Sequence, residues 1–174
     1  EISLGLVGSE MCIRDRFMGQ DFGQLREWSE ERELDWYLLG EKNHEHLQAY
    51  VRDLLHMYTK YPALYGNDGG YEGFEWINAD DGDRSIYSFV RYSPTGTGNL
   101  LFVCNFTPVA RPDYRVGVPK RKQYRLILDS SSIKYGGETV ERQAAYRAVK
   151  KECDGRAFSI GYDLPAYGVA VFSF

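Results

Sequence analysis

The chain has 174 residues, 43% of them hydrophobic and 26% charged, which suits one well-buried core with a small second piece attached. Its net charge of −4 is spread over interspersed acids and bases, so no electrostatic footprint for nucleic acid is present. No apolar run approaches membrane-spanning length and no secretory signal pattern is present, so no membrane-spanning helix is expected within these residues.

Taken in chain order, residues 1–16, EISLGLVGSEMCIRDR, fit nothing that follows. We read them as a foreign or mistranslated extension. Residues 17–36, FMGQDFGQLREWSEERELDW, open with the apolar pair Phe17 and Met18. The chain then turns through Gly19 and Gly23 into amides, acids and an indole. A buried strand end that empties into a glycine-hinged polar rim is the layout of a barrel's active-site face. Leu34, Trp36, Leu38 and Leu39 anchor the charged stretch behind it.

A helix is predicted over 44–60, with Asn43 as its N-cap. Leu47, Tyr50, Val51, Leu54, Leu55, Tyr58 and Tyr61 recur at three- and four-residue steps and form one apolar stripe. Pro62 stops the helix, because it lacks an N–H and disfavours helical geometry in the residue before it.

From Gly66 onward short strands alternate with turns. Strands are predicted over 74–78, 86–92, 100–106, 114–118, 124–128, 157–162 and 169–174, with a hairpin signal at Asp81-Gly82. Close spacing with almost no intervening helix argues an antiparallel β-sandwich. Residues 141–151 fit either a helical turn or a long connection.

Aromatic residues make up 15% of the chain, with 14 Tyr, 9 Phe and 3 Trp. They fit a β-rich core, and they also fit platforms for the apolar face of a sugar ring. Trp28 and Trp36 flank the charged rim and are candidate platforms, as are Tyr65 and Tyr71 beside the glycine-rich loop. Trp76 shares a strand face with Phe74 and is read as core.

Other constellations carry less. His44 and His46 with Glu41 and Glu45 lack metal-ligand geometry on a helix, so no metal site is expected. Asp80, Asp81 and Asp83 lack the oxygen pattern of a calcium loop. The basic runs 120–122 and 150–151 read as solvated loops. The three cysteines, Cys12, Cys104 and Cys153, share no metal-type spacing and suit a reducing, cytoplasmic compartment.

The rim wording closely resembles the last barrel strand and following loop of α-glucan branching enzymes of the α-amylase superfamily. The resemblance continues through YVRDLLHMYTKYPALY (50–65), GFEWINADD (73–81), SIYSFVRY (85–92), FVCNFTPVARPDYRVGVP (102–119), LDSSSIKYGG (128–137) and GRAFSIGYDLPAYGVAVF (155–172). It implies an all-β C-terminal domain over 66–174, preceded over 17–65 by the last strand and helix of a (β/α)8 barrel. Where the family carries an apolar strand just before Phe17, this chain has Arg14-Asp15-Arg16.

The resemblance also implies a retaining transfer: one carboxylate attacks an α-1,4 bond, another serves as acid and base, and the glucan passes to a 6-hydroxyl. In the family these carboxylates lie upstream, and no position here matches their motifs, so no catalytic residue is assigned. The chain is expected to be an inactive C-terminal piece of a glycogen branching enzyme. The alternative is a stand-alone, non-catalytic α-glucan-binding module.

Gln20, Asp21, Gln24 and Trp28 match the family's substrate-side loop. At Asp21 the family usually has Glu, one methylene longer. Whether these groups meet glucan or only satisfy their own loop stays open at this level. The implied partners are an α-glucan and the rest of the barrel, with no cofactor, nucleic acid or membrane.

Overall fold

A computed structural model describes residues 17–140 and 143–174. The extension expected over 1–16 lies outside the described residues, as do Glu141 and Arg142 of the ambiguous connection. The chain divides within its long helix into two compact units, Glu1–Asp53 and Leu54–Phe174.

In the first unit, the rim segment is a run of turns. Gly19 and Gly23 take φ of 80° and 69°, which only glycine adopts cheaply. Gln24 N–H donates back to the Gly19 carbonyl at 3.0 Å, closing the loop around the fully buried Phe22. A 3-10 turn, Trp36–Gly40, leads directly into helix α1, Lys42–Lys60. The helix therefore starts earlier than the sequence suggests, and Asn43 lies inside it rather than capping it. The physical reason is the incoming turn. It places the Glu41 carbonyl where it accepts from both His44 and Glu45 N–H at 3.1 Å, so the backbone itself nucleates the first turn. The far end behaves as expected, with Tyr61 extended ahead of Pro62.

Among the described residues the second unit has eight strands. They are β1 (Phe74–Asp81), β2 (Ile86–Arg91), β3 (Leu100–Asn105), β4 (Arg111–Val118), β5 (Gln123–Asp129), β6 (Ala145–Arg147), β7 (Phe158–Leu164) and β8 (Val169–Ser173). A six-stranded sheet runs β1-β2-β3-β8-β5-β6, and β4 pairs with β7 in a two-stranded sheet. Every pairing between these strands is antiparallel. Strand β1 runs three residues beyond expectation, to Asp81, so the hairpin turn falls on residues 82–85. Of the 141–151 segment, the described residues 143–151 form no helix, and Ala145–Arg147 is the short edge strand β6, with Gln123 facing Arg147 across the pairing.

The two sheets enclose one core. Val90, Leu101, Val103, Ala170 and Phe172 of the large sheet meet Val116, Val118, Ile160, Tyr162 and Leu164 of β4 and β7. Burying each of the larger side chains contributes about 1.5–3 kcal/mol. Asn105, buried at the end of β3, uses its whole amide. Its Nδ2 donates to the carbonyls of Val109 (2.9 Å) and Pro165 (2.8 Å), and its Oδ1 accepts from Thr107 N–H and Oγ1–H. One side chain thus ties two loops at one end of the sandwich.

Candidate functional site

Two surfaces carry the candidate residues, one in each unit. In the rim, Gln24 is committed to its own loop: Oε1 accepts from Asp35 N–H at 2.9 Å and Nε2 donates to the Arg26 carbonyl at 3.0 Å. Gln20 Oε1 likewise accepts from Phe17 N–H at 2.7 Å. Trp28 packs edge-on against Phe17, with ring centroids 5.3 Å apart. Asp21 makes no hydrogen bond or ion pair with a described residue. Trp36 rests on Phe22 (5.3 Å) with half its surface exposed. Asp21, the exposed Gln20 with its Nε2, and Trp36 therefore keep groups free of the loop's own bonds among the described residues.

What makes this loop rigid is a pair the sequence reading passed over. Arg26 forks onto both oxygens of the buried Asp35, with Nε to Oδ2 at 2.8 Å. Those hydrogen bonds hold the Asp35 carboxyl below the usual carboxylate range. His44 Nδ1 donates to the Phe22 carbonyl at 2.7 Å, so this histidine braces the loop. Among the described residues no group of three or more His, Cys, Asp or Glu is placed to hold a metal ion.

The second surface lies on the outer face of β1, β2 and β3. Strand β2 alternates strictly: Ile86, Ser88 and Val90 are buried, while Tyr87, Phe89 and Arg91 point the other way. Register then aligns Trp76 with Phe89, and Phe89 with Phe102. The result is an aromatic row across three strands. Phe89 stacks on Phe102 at 4.7 Å and 8°, Phe74 on Phe89 at 5.2 Å, and Trp76 meets Phe74 edge-on at 4.9 Å. Tyr87 and Phe106 extend it, with centroids 5.7 Å apart.

Trp76 is thus not core, as its pairing with Phe74 suggested. Its face of β1 is the one turned away from the two-sheet interior, and it stays 50% exposed. The missed signal was the alternation within SIYSFVRY, which already separates Tyr87 and Phe89 from Ile86 and Val90.

The backbone beneath the row is pinned from the opposite face. Glu75, between Phe74 and Trp76, accepts from Tyr92 Oη–H and from Arg156. Burial and the Glu75 hydrogen bond push the Tyr92 phenol upward, so it stays a donor at neutral pH. Trp76 and Phe106 are the exposed members of this strip and rest on half-buried rings, so apolar surface is presented outward. Tyr65, 44% exposed, leans on Tyr58 at 5.4 Å, and Tyr71 is almost fully exposed. Among the described residues no helix is long and apolar enough to cross a membrane.

Residues 76–174 match the family model of the alpha amylase C-terminal all-beta domain. The 1,4-alpha-glucan branching enzyme GlgB of Butyrivibrio fibrisolvens is 52% identical over 158 residues, covering 91% of this chain and 25% of that protein. GlgB of Aquifex aeolicus is 42% identical over 153 residues, 88% of this chain and 24% of that protein. GlgB of Pseudomonas putida is 39% identical over 155 residues, 89% and 21% respectively. The chain thus spans only a fifth to a quarter of the length of these relatives.

Proposed function

The chain belongs to the alpha amylase C-terminal all-beta domain family, and on that premise we propose that it is the C-terminal part of a glycogen branching enzyme. Such an enzyme opens an α-1,4 bond of a glucan and passes the freed chain to a 6-hydroxyl. In this reading residues 17–65 complete a catalytic barrel, 66–174 form the domain that follows it in sequence, and 1–16 are extraneous. The enzyme works on glycogen-type chains in the cytoplasm.

The two closely spaced carboxyl groups that retaining transfer requires are assigned to no residue of this chain. Its own part is to hold glucan and to shape the rim. Gln20 and Gln24 set the loop, Trp28 props its base, and Asp21 and Trp36 face the sugar. Tyr65 adds a platform in the second unit.

The aromatic row led by the half-exposed Trp76 is the observation that carries the reading. Ring faces pack against the C–H face of glucose without needing charge, which suits a neutral polymer. Affinity electrophoresis in glycogen gels tests it. Trp76→Ala is expected to weaken retention about ten-fold, in line with the ~1.5 kcal/mol upper end for an aromatic contact. Unchanged retention would remove the row from the glucan surface. Branching of amylose by the purified chain would overturn the placement of the reactive acids elsewhere.

A further inference from the structure

The two basic runs that look like separate solvated loops in the sequence are neighbours in the fold. Residues 120–122 make the turn between β4 and β5, and the β5–β6 pairing then sets Gln123 opposite Arg147. Ala148 N–H donates to the Lys122 carbonyl at 3.0 Å, holding the start of the second run against the first. Beyond it, Ser159 Oγ–H donates to the Lys151 carbonyl at 2.7 Å, and Val149 bridges Ser159. The backbone that carries Lys150 and Lys151 is therefore fixed.

Between these segments lies a cleft of about 450 Å³ lined by Arg121, Lys122, Gln123, Arg147 and Ala148. Among the described residues no acid lines it; the exposed Glu152 follows Lys151 along the chain. Arg125, on the same strand face as Gln123, adds a further cation. None of Arg121, Lys122, Arg125, Arg147, Lys150 and Lys151 forms an ion pair with a described residue. In a chain of net charge −4, the three cations that line the cleft, Arg121, Lys122 and Arg147, make it locally positive.

We infer that this cleft binds a small phosphate-bearing anion: a phosphate monoester, either on a free sugar or carried by a glucan chain. Arginine forks match phosphate oxygens two at a time, and the Gln123 amide suits an adjoining hydroxyl. Among the described residues no aromatic side chain lines the cleft to stack a nucleobase, which argues against a nucleotide or single-stranded nucleic acid. The inference does not rest on the glucan reading. The aromatic row sits on β1 to β3, at the opposite end of the sheet from β5 and β6.

Titration of the full isotope-labelled chain with glucose 6-phosphate and with inorganic tripolyphosphate, read by amide shifts, tests it. Saturable shifts at Lys122, Gln123 and Arg147 are expected, with affinity falling about ten-fold or more in Arg147→Gln and declining with salt. Lys122→Gln, in an exposed turn, serves should the strand variant fail to fold. Stronger retention on phosphorylated than on dephosphorylated amylopectin would identify the polymer as the source. Binding of the free ester alone would identify the small molecule. Absence of shifts, equal affinity in both variants, equal competition by sulfate, or preference for an oligonucleotide would each overturn the inference. Trp76→Ala leaves this binding unchanged, so its failure and that of the glucan surface are told apart.

Discussion

Tyr162 of β7 donates its phenolic hydrogen to Asp129 Oδ2 of β5 at 3.1 Å, a buried hydrogen bond that joins the small sheet to the large one. Both side chains are almost wholly buried, and the other oxygen of Asp129 accepts from Ser131 N–H at 2.9 Å. The Tyr162 ring also meets Phe172 and Tyr146 edge-on, at 5.2 and 5.5 Å. One residue thus packs the core and carries a polar tie across it.

Tyr162→Phe keeps the ring contacts and deletes only the hydroxyl. Loss of a hydrogen bond to a carboxylate costs about 1.5–3 kcal/mol, so urea unfolding is expected to shift to a lower midpoint with an unchanged slope. A variant as stable as the parent would show that the bond contributes nothing net.

The Arg26–Asp35 pair makes the rim sensitive to acid. The folded-state carboxyl lies below its unfolded value of about 4, so the stabilisation is present above that pH. It is lost as pH falls through the depressed folded value. Hydrogen exchange across residues 17–40 is expected to accelerate in that window in the parent. Asp35→Asn is expected to exchange faster at neutral pH and to show a flatter acid response. Parallel profiles for the two proteins would sink the idea.

Asp154 takes φ of 49°, and its two oxygens accept from Asn78 Nδ2 (3.0 Å) and Gly117 N–H (2.8 Å). It thereby links the turn before β7 to both β1 and β4. Asp154→Ala is expected to cost about 1–3 kcal/mol from unmet donors, while Asp154→Asn should recover part of it by keeping acceptor oxygen at the site. Thermal melts of the two variants check the order.

Burial pushes the thiols of Cys104 and Cys153 up to about 11. The thiolate is the reactive form, so alkylation of both by iodoacetamide at neutral pH should be slow in the native chain. Rates at least ten-fold faster in denaturant are expected. Rapid native labelling at Cys104 would mean that β3 opens far more readily than its pairing on both sides implies.

Local chemistry was legible in the sequence. Short apolar runs between turn signals placed seven of the eight strands found among the described residues, Pro62 ended the helix, and Asp81-Gly82 marked a hairpin, because each depends on neighbours within a few residues. The missed strand, Ala145–Arg147, has only three residues and exists because the edge of β5 offers hydrogen bonds to it. Long-range pairing also decided that β8 inserts between β3 and β5, which closes the large sheet. The facing of Trp76 and the fate of Gln24 were likewise set by contact. A period of two says that two faces differ, but only packing says which one is covered. An amide's partner depends on where a loop returns. The basic cleft belongs to the same class, since residues distant along the chain were brought together by a strand pairing that no local pattern encodes.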